Sequence, residues 1–197
     1  SLHDALPISK ADGNAKRDFE LQREIFQADQ RGGSARTERT RYLGAMAALA
    51  LAQPAVDDYK KVALVEPLQR SLKTKKAKLE DALKGYAVAA DYGVADASTA
   101  ATFHTAALYQ DFGQAMLKSQ RPKGLKKLEL EQYNVLLEEQ AFPFEEKAIT
   151  LHEINAKRSA QGVYDEWVSK SFAALRTLKP GRYARAERVE GVIDAIR

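Results

Sequence analysis

Long runs of Ala, Leu, Lys, Glu, Gln and Arg, cut at intervals by Gly or Pro, constrain this 197-residue chain to a helical fold. No segment of strand length alternates apolar and polar residues, so helices are predicted throughout. The first covers Asn14 to Gln30 and stops at Gly32-Gly33. Ser34 offers an N-cap for a second, which carries Tyr42, Leu43, Met46, Ala47 and Leu51 and ends near Pro54. A short third runs from Ala55 to Val65. Pro67 suits the start of a fourth, where a missing N–H costs nothing, and Gly93 stops it after Tyr92.

The fifth helix is expected from a cap at Asp96 to about Lys118. One face follows Ala101, Thr105, Leu108, Phe112 and Ala115; a second, about 100° away, follows Ala106, Tyr109, Gly113 and Met116. Two adjoining apolar faces imply neighbours on two sides. Gly124 to Ala160 continues one pattern through Leu130, Tyr133, Leu137, Phe144, Ala148 and Leu151, with a kink or short break predicted at Pro143. A last helix spans Tyr164 to Leu178 before Lys179-Pro180-Gly181. Seven helices with short connections make an all-α array.

Spacing within these helices resembles that of tetratricopeptide (TPR) repeats, in which paired helices cross at small residues within a unit of about 34 residues. Ala82, Tyr86 and Ala89 fit the second helix of such a unit, and Ala106, Tyr109 and Gly113 fit the first. Ala148, His152 and Asn155 return to the second-helix positions 66 residues after Ala82, with Asn155 in place of a small residue. The period is degenerate. The architecture expected is an α-solenoid of TPR-like antiparallel helix pairs, with inter-helix packing as the role of these positions.

Composition narrows the functional classes. The absence of cysteine excludes a disulfide scaffold and a thiolate metal site, and no apolar run approaches the ~20 residues of a spanning helix. The net charge of +4 identifies no partner, but its distribution is uneven. Lys60 to Lys84 holds eight basic residues, Lys75, Lys76 and Lys78 among them, whereas Glu129 to Glu153 holds seven Glu against Lys147 alone. Two solvated faces of opposite sign, or a basic docking surface for an acidic protein or an anionic membrane, both fit. Nucleic acid is not expected, because Tyr59 and Tyr86 flank the lysines and do not interleave with them. Tyr133 and Trp167 are candidate partner-binding aromatics.

Glu138, Glu145 and His152 fall at intervals of seven on one helical stripe, beside Glu139 and Glu146. A di-iron helix pairs a Glu with a His three residues later, and Ile149 stands there instead. His152-Glu153 lacks the second His of a zinc helix. No nucleophile motif, phosphate-binding glycine loop or acid/base pair stands out, so no enzyme activity, metal or cofactor is expected.

The C-terminal half contains LLEEQAFPFEEKAI, GVYDEWVSKSFAAL and LKPGRYARAE. These blocks resemble a group of bacterial cell-envelope TPR proteins, often encoded beside TonB and ExbB/ExbD energy-transducing proteins and linked in some bacteria to gliding motility. The resemblance covers roughly half the chain. It implies a non-enzymatic scaffold in the periplasm or cell envelope, with other envelope proteins as partners, and it carries over no catalytic residue. Ser1 to Ile8, SLHDALPI, back-translates to a string like a common sequencing-library adapter, so residues 1–8 are read as a cloning or assembly scar. Residues 9–181 are then the TPR-like domain and 182–197 a basic tail or short helix. The alternative function is a basic helical adaptor for nucleic acid or another acidic partner.

Overall fold

The structure, a computed structural model, describes residues 15–185. Residues 1–8 and most of 182–197 therefore lie outside the described residues. Within them all regular structure is helical: α1 (Ala15–Arg31), α2 (Glu38–Leu51), α3 (Gln53–Lys61), α4 (Leu68–Asp91), α5 (Ala95–Leu117), α6 (Lys127–Arg158), α7 (Glu166–Leu178) and a single turn, α8 (Pro180–Tyr183). The all-α expectation and the seven principal helices hold.

Several boundaries differ for identifiable reasons. Thr37, not Ser34, caps α2: its side chain accepts from the Thr40 amide while the Thr40 hydroxyl accepts from the Thr37 amide, a reciprocal box. Ser34 sits in a 3-10 turn, Gly33–Ala35. Asp96 lies inside the first turn of α5, favourable for the dipole but not as a cap. The break expected at Pro143 is absent, and α6 runs for 32 residues through it. Pro143 is exposed, so the Glu139 carbonyl it deprives of an N–H can reach water on that side. Gly93 and Gly162 stop their helices in the left-handed region, at φ of 66° and 82°.

Packing follows chain order. α1 lies on α2; α2 and α3 pack on α4; α4 on α5; α5 on α6; α6 on α7. α5 touches α2, α4, α6 and α7, as its two apolar faces require. One apolar core gathers Ala45, Val56, Tyr59, Leu79, Ala82, Tyr86, Ala101, Phe112 and Met116. A second, smaller core joins Ile149, Ala156 and Leu175 with Phe172, Leu178 and Tyr183. At the crossing of α4 with the α2–α3 junction, Gly85 permits the close approach: a Cβ there would lie 2.8 Å from Ala52 Cβ and 3.0 Å from Ala52 Cα. Helices α4, α5 and α6 have 24, 23 and 32 residues, so a pair such as α5–α6 exceeds a 34-residue repeat.

Candidate functional site

The basic segment divides on folding. Lys75 is only 4% exposed. Its Nζ donates to the Tyr59 carbonyl at 3.3 Å and the Val62 carbonyl at 3.0 Å, and lies 4.0 Å from the centre of the Tyr59 ring. The Tyr59 carbonyl also accepts from the Val62 amide, and Val62 is the residue just past α3, so Lys75 closes the C-terminal end of that helix. Burial holds its ammonium below the usual lysine range, opposed by the Asp111 charge. Tyr59 in turn donates its hydroxyl to Asp111 Oδ2 at 2.7 Å, tying α3 to α5. Lys75 is therefore a structural cation and is withdrawn from any partner. Lys76 stays exposed, with Gln69, Arg70 and Lys73, on an open groove along α4 that half-buried Leu72 also lines. Lys78 pairs with Asp58 at 3.4 Å.

Trp167 is half-buried at the start of α7, 5.4 Å from Phe103 and 4.7 Å from His104 between ring centres, with Lys170 Nζ 4.0 Å over it. His104 also stacks on Tyr86, at 5.2 Å and 13°. This aromatic row joins α4, α5 and α7. Behind it lies a polar junction of α5, α6 and α7. Asn155 donates to the Thr99 carbonyl at 2.9 Å and to Ser171 Oγ at 3.0 Å, and accepts from Arg158 at 2.6 Å. Thr99 donates to Asp165, whose other oxygen accepts from the Trp167 and Val168 amides and so caps α7. His152 is 1% exposed; its Nδ1 is 3.3 Å from Ser171 Oγ and its Nε2 has no partner. Burial lowers its pKa to about 4, so the ring is neutral at pH 7.

The TPR-like positions are mostly interior. Ala82, Tyr86, Ala89, Ala106, Gly113 and Ala148 are buried, and Tyr109 is half-buried beside Phe144. Tyr86 reaches α5 and Asn155 reaches both α5 and α7, so these positions do lie between helices. Gly113 is less constrained than its assigned role implies, because a Cβ there would be 3.4 Å from the Ala141 carbonyl and 3.5 Å from Phe144 Cβ. Tyr133 is half-buried, with the Arg121 guanidinium 6.0 Å from its ring centre. Arg121 also donates to the Leu117 carbonyl at the end of α5 and to Asn134, so Tyr133 belongs to the α5–α6 connection.

Sequence reasoning followed the inward face of α6 and missed its outward one. Leu128, Val135 and Phe142 are 66%, 54% and 60% exposed, and they recur every seven residues on the side away from buried Leu137, Ala141 and Ala148. Glu131, Glu138, Glu139, Glu145 and Glu146 are exposed around them. No Lys or Arg occurs from Leu128 to Glu146, and none of these five Glu forms an ion pair among the described residues. Along one edge a cavity of about 190 Å³ opens between α5 and α6, floored by Gly113 and Ala141 and rimmed by Leu117, Phe142, Glu138 and Glu145. The seven-residue interval was the available signal.

Glu138 and Glu145 do not join His152, which faces the interior. Among the described residues no group of three or more His, Asp or Glu is placed to hold a metal ion, and no helix is long and apolar enough to cross a membrane. Compared with known proteins, the chain matches no family model, and no curated protein or solved structure is similar enough to establish kinship.

Proposed function

We propose that the protein is a non-enzymatic helical scaffold of the bacterial cell envelope, built from TPR-like helix pairs and acting by holding partner proteins on its helix surfaces. The supporting observation is the serial stacking of α4, α5, α6 and α7, with Ala82, Ala89, Ala106 and Ala148 buried in it. Each helix leans mainly on its chain neighbours, as in repeat scaffolds, which leave long faces free for partners. The pairs are longer than ordinary TPR units, so the likeness rests on the crossings and not on the period. The envelope setting, and partners such as a TonB/ExbB/ExbD-type complex, rest on the resemblance of the C-terminal blocks.

The test is affinity capture on residues 9–197, using membrane and periplasmic extracts of bacteria carrying the gene, followed by binary reconstitution of each captured protein. At least one envelope protein should bind with a dissociation constant below the millimolar range. A chain shown folded by circular dichroism that retains no envelope protein refutes the proposal. The groove at Arg70, Lys73 and Lys76 favours one other reading, a site for an acidic partner or nucleic acid. That reading requires salt-sensitive retention on RNA or an acidic peptide, lost on Lys73→Glu with Lys76→Glu.

A further inference from the structure

Large apolar side chains exposed in series, and framed by charge of one sign, mark a binding face rather than ordinary surface scatter. Leu128, Val135 and Phe142 form such a series on α6, about 21 Å long at 1.5 Å per residue. We infer that this outward face of α6, with Glu131, Glu138, Glu139, Glu145 and Glu146 beside it, is a docking seam for a basic amphipathic helix of a partner protein. The inference rests on the scaffold reading and names the partner's chemistry.

Three observations select that occupant. A seven-residue interval of apolar knobs is the geometry by which one helix receives another, and three to four turns of partner helix match its length. Six Glu and no basic residue between Leu128 and Glu146 require Lys or Arg at the partner's flanking positions; the same charge repels nucleic acid and an anionic membrane surface. A second copy of this chain is a poor match. Its own basic helix, α4, exposes no large apolar residue between Leu68 and Lys84, so it has nothing to set against Val135 and Phe142. The cavity beside Phe142 offers a recess in which one apolar anchor of the partner can sit, between the carboxylates of Glu138 and Glu145.

The probe is a synthetic three-heptad helix with Leu at a and d and Lys at e and g, whose like charges oppose self-pairing, used at a concentration where it sediments as a monomer; a Glu-for-Lys version and a scrambled peptide are controls. Binding to the full chain is read by fluorescence anisotropy. The Lys probe should bind well above both controls. Val135→Asp with Phe142→Asp, and separately Glu138→Lys with Glu145→Lys, should each weaken it roughly tenfold or more. Glu80→Lys with Asp81→Lys, on α4, should leave it unchanged. All these side chains are exposed, so circular dichroism should report the same fold. Binding no better than the scrambled peptide, seam variants that bind like the wild type, or a dimer that Val135→Asp with Phe142→Asp dissolves would each overturn the inference. An envelope partner captured equally by the seam variant would sink the seam alone and leave the scaffold reading standing.

Discussion

Acidification should destabilise this protein through His152, and the size of the effect follows from where the ring lies. The imidazole is 1% exposed at the junction of α5, α6 and α7, with Nε2 unpartnered and Nδ1 facing only the Ser171 hydroxyl. Its pKa is about 4 in the fold and 6.5 in an open chain. Between those values the unfolded state holds a proton that the folded state does not, so stability rises with pH and falls as pH drops below 6.5. Integrated from pH 7 to pH 4.5, the loss from this group is about 2–3 kcal/mol, and it levels off below pH 4. His152→Leu removes that loss. At pH 7 it costs one long hydrogen bond to Ser171 and relieves an unsatisfied nitrogen, so its stability should stay within about 1 kcal/mol of wild type. Urea unfolding of both proteins, followed by circular dichroism from pH 7 to pH 4.5, is the assay. The difference between the two curves is the readout, because His104, also held low by burial, and the carboxylates Asp29, Asp58 and Glu153, held low by their basic partners, titrate in both. A His152→Leu variant that loses stability toward pH 4.5 as steeply as the wild type refutes a neutral buried imidazole.

Gly85→Ala and Gly113→Ala should separate despite identical chemistry. Both gain about 1 kcal/mol of helix propensity, but the new Cβ at 85 meets Ala52 at 2.8 Å and must push α4 away from the α2–α3 junction, at roughly 1–3 kcal/mol. Thermal melts should therefore show Gly113→Ala at or above wild type and Gly85→Ala at or below it; the reverse order would disprove the close crossing. Lys75→Met should lower stability by about 1–2 kcal/mol, since the Val62 carbonyl loses its donor and the Tyr59 carbonyl keeps only the Val62 amide, whereas Lys76→Met should leave the unfolding midpoint unchanged. Asp165→Ala should cost about 1–2 kcal/mol, because it uncaps α7 and leaves the Thr99 hydroxyl only the Ala95 and Asp96 carbonyls of its own helix; a loss within measurement error would show that the cap is not sustained in solution.

Helix content was legible because it rests on local propensity and on breakers such as Gly93 and Gly162, whose positive φ follows from their lacking a Cβ. Caps were less so. Ser34, Asp96 and Thr37 are all plausible N-caps, and only the backbone's approach to its first turn decides which side chain reaches an orphan amide. Lys75 illustrates a harder case. Nothing in the sequence distinguishes it from Lys73 or Lys76; it becomes structural because α4 brings it beneath the carbonyl end of α3, a contact between residues 13 and 16 positions apart. Gly85 was missed for the same reason, since its partner Ala52 lies on another element.

The oppositely charged helices α4 and α6 do not neutralise each other. α5 packs against both α4 and α6, and among the described residues no ion pair joins those two helices. The basic helix satisfies some of its charge at home, through Lys75 on α3 and Lys78 on Asp58, while the five outward Glu of α6 have no cation partner among the described residues. A helix that needed only to pack on α5 would carry one apolar stripe; α6 carries two, at Leu137, Ala141 and Ala148 inward and at Leu128, Val135 and Phe142 outward. Two stripes on one helix blur its amphipathic pattern, which is why the outer one was hard to see in sequence. Unpaired carboxylates are tolerable on a wet surface, but beside a row of exposed apolar side chains they restrict what can cover it. A neutral or acidic helix would bury those carboxylates without a counter-charge, at a desolvation cost that a Lys- or Arg-flanked helix avoids.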